Sequence, residues 1–527
     1  MLRSKSAQDV FEPKTEEQSM VTIQEPWFAD RMHLALDPYF EREFFTNLIY
    51  CIDRKKSLRD VLLATLSDFE RYGRYDEKLD QCVLHLMTCY QATSELRESY
   101  QWLPMAQALF TAALFRGDAR KPLTENEWQK TEASAGKLED FVFSIGKQAR
   151  RVGNFEQAWS HLLFALENRS QRAAVCEAMT SSAVSTEDPL TFGLLMKAFD
   201  LCFASAWKQN EVLLKRAFSR FWYSENAVTS ASVVQAQGLV ASSPDLKLKN
   251  GAGSHWDEAM SEELWKAALQ SSEAVWELVR RWSSKEVSFD QWFAACQLMR
   301  GRVLLRMRSE QWPLVSDSVT YAQGLESATR WDPSRKLFYL ATNVCDLTTL
   351  IRLVSCSEKV DPLAERVAKT LSSNVSKNQL VLRLDDACER GDREEALDLV
   401  ALMIEDAGLS HSLSDRLLLM ASKQDAWTYE TQTIPLALAM TKAYQAGGRM
   451  KMGTSFVADA CFGLLRFLSD QREAALQEAR RRGNYGDGGL SKSPFDVSSG
   501  ARIVDRFVFN QMRNAQRIQI WPSEGKG

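Results

Sequence analysis

The feature that most constrains this chain is the stretch Val381–Gly408, VLRLDDACERGDREEALDLVALMIEDAG. Leu380, Leu384, Ala387 and Cys388 recur at the spacing of one helix face. Gly391 supplies the left-handed residue that ends a helix. Asp392 stands at the N-cap position of the next one, with Glu395 three residues on in the capping-box relation. The second helix repeats the apolar face at Ala396, Leu399, Val400, Met403 and Ile404. Two short amphipathic helices across a tight turn form an αα-hairpin, the building unit of a helical solenoid.

The same grammar recurs at Phe141–Asn168. Phe141, Ile145, Ala149 and Val152 share a face, Gly153 turns, Asn154 caps with Gln157 three on, and Ala158, Leu162, Ala165 and Leu166 form the inner stripe. In both hairpins an alanine follows the turn glycine by five positions, a small residue that lets helices approach closely. A third hairpin is expected where Thr433 caps, Pro435 sits in the first turn, and Leu436, Met440, Ala443 and Tyr444 align. Gly447-Gly448 would be its turn, and Val457, Cys461, Leu464, Leu465 and Leu468 the partner helix. With only 24 Gly and 13 Pro in 527 residues, and no alternating β-branched runs, helix is expected nearly throughout. The predicted fold is all-α, a right-handed superhelical solenoid of αα-hairpin repeats.

Five segments are expected. Residues 1–26 are polar and aperiodic, a disordered tail. Residues 27–240 form an N-terminal helical array and 241–255, rich in Ser, Gly and Asn, a linker or long loop. Residues 256–470 form a second array, followed by a basic, partly disordered tail with a terminal helix over 471–527. The second array carries Trp256, Trp265, Trp276, Trp282, Trp292 and Trp312. Their spacing with Leu264, Ala268, Val275 and Leu278 makes them core residues rather than base-stacking platforms.

The longest apolar run, Met105–Phe115, is about half of the ~20 residues a membrane span needs, so no span is expected. The first twenty residues hold Asp9, Glu12, Glu16 and Glu17, whereas mitochondrial transit peptides are poor in acids. Ten cysteines lie mostly among apolar residues, as free buried thiols in a reducing compartment do. A net charge of −4 is unlike that of a strongly basic nucleic-acid binder, so RNA binding would need a local basic face.

The segments DPLTFGLLMKAF (Asp188–Phe199), ACERGDREEALDLVALM (Ala387–Met403) and TIPLALAMTKAYQAG (Thr433–Gly447) resemble pentatricopeptide repeats, over a third of the chain. GNFEQAWSHLLFALEN (Gly153–Asn168) is closer to a tetratricopeptide helix. The first resemblance implies single-stranded organellar RNA as ligand and a mitochondrial location; the second implies partner proteins, with the cytoplasm as the alternative location. Two departures stand out. Gly153, Gly391 and Gly447 do not share a period of about 34 residues. The base-reading position falls on Leu194, Leu382 and Leu438, where code-type readers present Asn, Ser or Thr. RNA contact would therefore run through phosphates, and the candidate contacts are Lys147, Arg150, Arg151, Lys197 and Lys442 near the hairpin turns. Arg480, Arg481, Arg482, Arg502, Arg506, Arg513 and Arg517 make the C-terminal end locally basic.

Other constellations carry less. Cys82, His85 and Cys89 share a helix face, but a fourth zinc ligand is missing and core packing is the plainer reading. Gly448 to Thr454, GRMKMGT, has the glycine spacing of a phosphate loop without its lysine. Asp385 and Asp386 are adjacent on a helix and so diverge. No catalytic residues, cofactor, metal or small-molecule substrate are expected. The chain is predicted to be a non-catalytic repeat protein binding organellar RNA, or alternatively a protein–protein scaffold with no RNA contact.

Overall fold

The computed structural model describes residues 57–69, 77–97, 101–118, 141–142, 145, 154–185, 188–208, 210–224, 231–251, 253, 255–354, 363–371, 377–423 and 432–481. Among them are nineteen α-helices, two short 3-10 turns and no strand. Helices α1 (Leu58–Phe69), α2 (Glu77–Thr93) and α3 (Trp102–Asp118) come first, then α4 (Phe155–Glu167), α5 (Arg169–Ala183), α6 (Pro189–Ala204), α7 (Asn210–Tyr223) and α8 (Ala231–Ala241). After a long loop follow α9 (Glu258–Gln270), α10 (Ser272–Ser283), α11 (Phe289–Arg306), α12 (Trp312–Trp331) and α13 (Lys336–Leu353). The last group is α14 (Leu363–Leu371), α15 (Lys377–Arg390), α16 (Arg393–Glu405), α17 (Ala407–Lys423), α18 (Thr433–Arg449) and α19 (Thr454–Arg481). The tail expected at 1–26 lies outside the described residues, as do residues 482–527 of the tail expected at 471–527; residues 471–481 instead continue α19.

The α15–α16 hairpin forms as its sequence dictates. Gly391 takes φ +73°. Its N–H donates to the Cys388 carbonyl at 3.2 Å, and the Asp392 N–H to the Ala387 carbonyl at 2.8 Å, the paired bonds that close a helix end. Asp392 Oδ1 then accepts the Glu395 N–H at 3.2 Å. The reciprocal half of the capping box does not form, because Arg383 (2.6 Å) and Arg390 (2.5 Å) take the Glu395 carboxylate instead.

At α4, Asn154 caps through the Glu156 N–H at 2.9 Å, one position short of Gln157. Phe141, Ile145, Ala158, Leu162, Ala165 and Leu166 are buried; Ala149, Val152 and Gly153 lie outside the described residues.

The third hairpin differs from expectation. Helix α18 runs through Gly447 and Gly448, and the chain turns at Met450–Gly453 with Lys451 at φ +54°. A Cβ at Gly447 would stand 2.7 Å from Val457, so this glycine serves the approach of α19, not a turn. Gln432, not Thr433, precedes the helix, and the Thr433 hydroxyl instead donates to Gln471 at 3.3 Å.

Sequence neighbours pack as hairpins: α2 on α3, α6 on α7, α18 on α19. Distant helices also meet. Helix α11 packs on α19, α6 on α12, α8 on α13, and α18 on α2, α11 and α12. In a strict repeat array each unit touches only its neighbours; here the last hairpins come back onto the first helices.

The segment expected as a linker is tied down. The Phe289 N–H donates to the Lys249 carbonyl and the Gly251 N–H to Asp290, both at 2.8 Å. Beyond it, Trp256 packs edge-on against Trp282 and Trp292 at 5.3 and 5.4 Å. All six of the noted tryptophans are buried, as the stripe required. The eight cysteines among the described residues are free and buried.

Helix α11 is the centre. Nearly every side chain along it is buried, including Arg300 and Arg302. Arg300 donates to Asp346 on α13 at 2.6 Å and to Ser318 on α12 at 2.8 Å. Arg302 reaches Glu262 on α9 at 2.7 Å and Asp459 on α19 at 2.5 Å. Between them Gly301 meets α19 so closely that a Cβ would lie 2.6 Å from the Ala460 Cα.

Gly→Ala in a helix interior ordinarily gains about 1 kcal/mol, and the clash decides the sign here. Gly301→Ala is expected to lose about 1–3 kcal/mol. Gly238→Ala on α8, where nothing lies within 4 Å, is expected to gain up to ~1 kcal/mol. Chemical denaturation of both variants checks the crossing; a stabilised Gly301→Ala would refute it.

Candidate functional site

Three depressions that share lining residues lie beside α18. The first, about 80 Å3, opens between α2, α6, α12 and the start of α18, beside Lys197, Asp317 and Gln323. Gln323 also lines the second, about 760 Å3, between α11, α12 and α18. Gln445 and Arg449 line both the second and the third, about 810 Å3, which α17 and the α18–α19 turn enclose. Two of these volumes fall in the ~300–1,000 Å3 range of binding clefts.

Lys197 and Lys442 are brought to this cleft from separate hairpins. Lys197 Nζ donates to Gln91 Oε1 at 2.6 Å. Burial, which outweighs the nearby Asp200, pushes its pKa down to about 8, and Lys442 and Arg330 add to the fall. Lys442 Nζ lies 3.4 Å from Glu95 Oε1, with its side chain half exposed; such a pair contributes less than ~1 kcal/mol. Lys147, Arg150 and Arg151 lie outside the described residues. Of the expected base-reading positions, Leu194 and Leu438 are buried in the core and Leu382 is 68% exposed.

The middle depression has a wall of Phe289 and Phe293, rings 4.9 Å apart. Gln297 on α11 lines it while only 5% exposed, and its Oε1 has no hydrogen-bond partner. A buried acceptor left without a donor costs about 1–3 kcal/mol. Glu326 on α12 also lines the depression. Its carboxylate is reached by solvent yet crowded by protein. That crowding raises its pKa against the pull of Arg330 and Lys442, with Asp290 and Asp200 adding to the rise.

His255, His411, Arg449 and Lys451 line the third depression, all exposed and with no ion-pair partner among the described residues, and no acid lines it. Glu258 lies at its border, where it accepts the Ser455 N–H at 2.7 Å and thereby occupies the start of α19. The GRMKMGT stretch supplies Arg449 and Lys451 to this depression. It follows a helix, and a carboxylate already stands where a phosphate loop would hold phosphate.

Sequence reasoning missed Gln297, Asp317, Glu326, His255 and His411. They come from three helices and a loop, and only tertiary packing assembles them. The expected metal alternative resolves as core: Cys82, His85 and Cys89 are buried, with Cys89 Sγ 3.5 Å from a His85 ring nitrogen. No metal-ligating cluster occurs among the described residues, and no helix there is long and apolar enough to cross a membrane. No protein-family model, curated protein or solved structure matches the chain.

Asp317 gives the cleft a pH signature. Burial, followed by the charges of Asp346, Glu77 and Asp188, pushes its carboxyl up from 3.8 to about 6. The folded state therefore binds the extra proton between those values, and its ionisation costs stability as pH rises through them. Asp317→Asn is expected to gain on the order of 1 kcal/mol over the parent at pH 7, after solvent screening, and almost nothing near pH 3.8. Thermal denaturation at both pH values checks this; an equal gap at the two would refute it.

Proposed function

We propose that this chain is a non-catalytic helical-hairpin scaffold that holds a segment of a partner protein in the cleft along α18. The observation that carries the reading is the mixed character of the cleft. Lys197 and Lys442, the two expected phosphate contacts that the described residues include, are engaged by Gln91 and Glu95. Around Lys442 the depression is lined by Glu95, Asp290, Glu326, Arg330 and Arg449 together with two phenylalanines. Balanced charge beside apolar groups suits a polypeptide, which offers donors, acceptors and apolar groups in one strand.

A second reading keeps single-stranded organellar RNA as the ligand and the mitochondrion as the location. The resemblance to pentatricopeptide repeats supports it, and so do the exposed cations Arg449 and Lys451, unpaired among the described residues. On both readings the hairpins form a right-handed superhelical solenoid whose last turns close onto α2 and α11. On the scaffold reading the repeats are tetratricopeptide-like.

The test is capture of the tagged protein from cells, with amine-reactive crosslinking for proteins and ultraviolet crosslinking for RNA. Scaffold function predicts defined partner proteins crosslinked to Lys442 or Lys451, with RNA recovered at the level of an untagged control. Enrichment of one or a few organellar transcripts would replace it with the RNA reading.

A further inference from the structure

We infer that the third depression, at the C-terminal end of α18, takes one phosphorylated side chain of the partner segment. This inference rests on the scaffold reading and adds to it a modification that the partner carries where it is held.

Arg449 ends α18 and Lys451 follows in the turn. Both line the depression, both are exposed, and neither side chain has an ion-pair partner among the described residues. A cation in the last turn of a helix complements the helix dipole, and that accounts for Arg449. It does not account for Lys451, which sits at φ +54°, a conformation that glycine adopts freely and other residues rarely. The neighbouring residue enforces it. Met452 is buried, its N–H donates to the Gly447 carbonyl at 3.0 Å, and it pairs with Trp256 in an isolated parallel bridge. Backbone strain of this kind collects at ligand sites. Here it places a positive charge at the depression where a glycine would place none.

Hydroxyl and ring N–H groups extend the donor set. Ser414 on α17 lines the depression while only 4% exposed, and its hydroxyl has no hydrogen-bond partner among the described residues. Thr454 at the start of α19, His411 and His255 also line it, and an imidazole offers an N–H in either charge state. Glu258, at the border, is held by the Ser455 N–H at 2.7 Å, so an anion sits toward Arg449 and Lys451 rather than at the start of α19.

This donor set matches a phosphate monoester, which carries about −1.5 to −2 charges and three acceptor oxygens at neutral pH. Two cations balance that charge. Donors from α17, α18, the turn and a loop suit a tetrahedral group better than a flat carboxylate. Buried Ile404 and Val457 add apolar lining, and about 810 Å3 leaves room for the residues on either side of the phosphate. A single strand of RNA carries a charge at every nucleotide and needs a run of such cations. Past Arg449, the adjoining depression instead brings in Glu95, Asp290 and Glu326.

The experiment uses the full chain and fluorescein-labelled pools of short peptides with degenerate neutral flanks. The first pool carries phosphoserine, phosphothreonine or phosphotyrosine at its centre, the second the same residues unmodified, and the third glutamate. Fluorescence anisotropy is expected to show the phosphorylated pool binding at least tenfold more tightly than the unmodified pool and at least threefold more tightly than the glutamate pool. Arg449→Gln with Lys451→Gln should remove these differences. Lys451→Gly separates binding from folding: glycine relieves the backbone, so the thermal midpoint should rise while the phosphorylated pool binds at least threefold more weakly. Equal affinity of the phosphorylated and unmodified pools, or of the phosphorylated and glutamate pools, overturns the phosphate site, and so does a Lys451→Gly variant that binds as the parent does. Inorganic phosphate that competes as well as the phosphorylated peptides makes free phosphate the occupant and overturns the partner-borne group. If partner proteins are still captured in cells, the scaffold reading stands without it. Tighter binding of oligouridylate than of any pool, lost in the double variant, overturns both.

Discussion

Two buried guanidinium groups fix how this molecule is assembled. Arg300 and Arg302 stand two positions apart on α11, about 200° around the helix, and both are almost completely excluded from water. A buried charge left without its partner costs about 3–5 kcal/mol, so α11 cannot be covered by apolar helices alone. The set that surrounds it must deliver Asp346, Ser318, Glu262 and Asp459 to the right places. Each anion arrives on a different piece of chain. Apolar burial supplies most of the driving force for packing, and the guanidiniums select which helices do the packing.

The same device operates at the other end. Asp80 on α2 accepts from Arg216 and Arg220 on α7, and Arg220 continues to Asp188, the N-cap of α6. That network joins three helices in the way that Arg300 joins α11, α12 and α13. The cleft lies between these two sets of buried charges, with α18 along its length. Its walls belong to helices whose mutual positions buried ions dictate.

Local features of this arrangement were legible in the sequence and its closure was not. Gly391 and Asp392 announced a helix end and a helix start because both act within a few residues of themselves. The tryptophans announced a core because their stripe matched a helical period. Gly447-Gly448 misled, since glycine serves a close crossing as readily as a turn, and only the position of Val457 distinguishes the two. Glu395 misled in a similar way: its box partner lost to two arginines that the spacing pattern does not count. The cleft was nearly invisible. Lys197 and Lys442 were picked out by their place near turns, but Glu326, Gln297, His255 and His411 belong to no shared motif. They acquire a common setting only through contacts between helices far apart in sequence.

The pairing of Arg302 with Asp459 spans 157 residues. A ribosome adds about 5–20 residues per second, so Arg302 emerges on the order of ten to thirty seconds before its partner exists. During that interval Arg302 has only Glu262 as its anion, and α11 lacks the apolar cover of α19. Helix α19 is thus a late-arriving clamp: α11, though central in the finished molecule, is among the last parts to become native. Loss of α19, by truncation or proteolysis, would accordingly expose the middle of the molecule rather than its end.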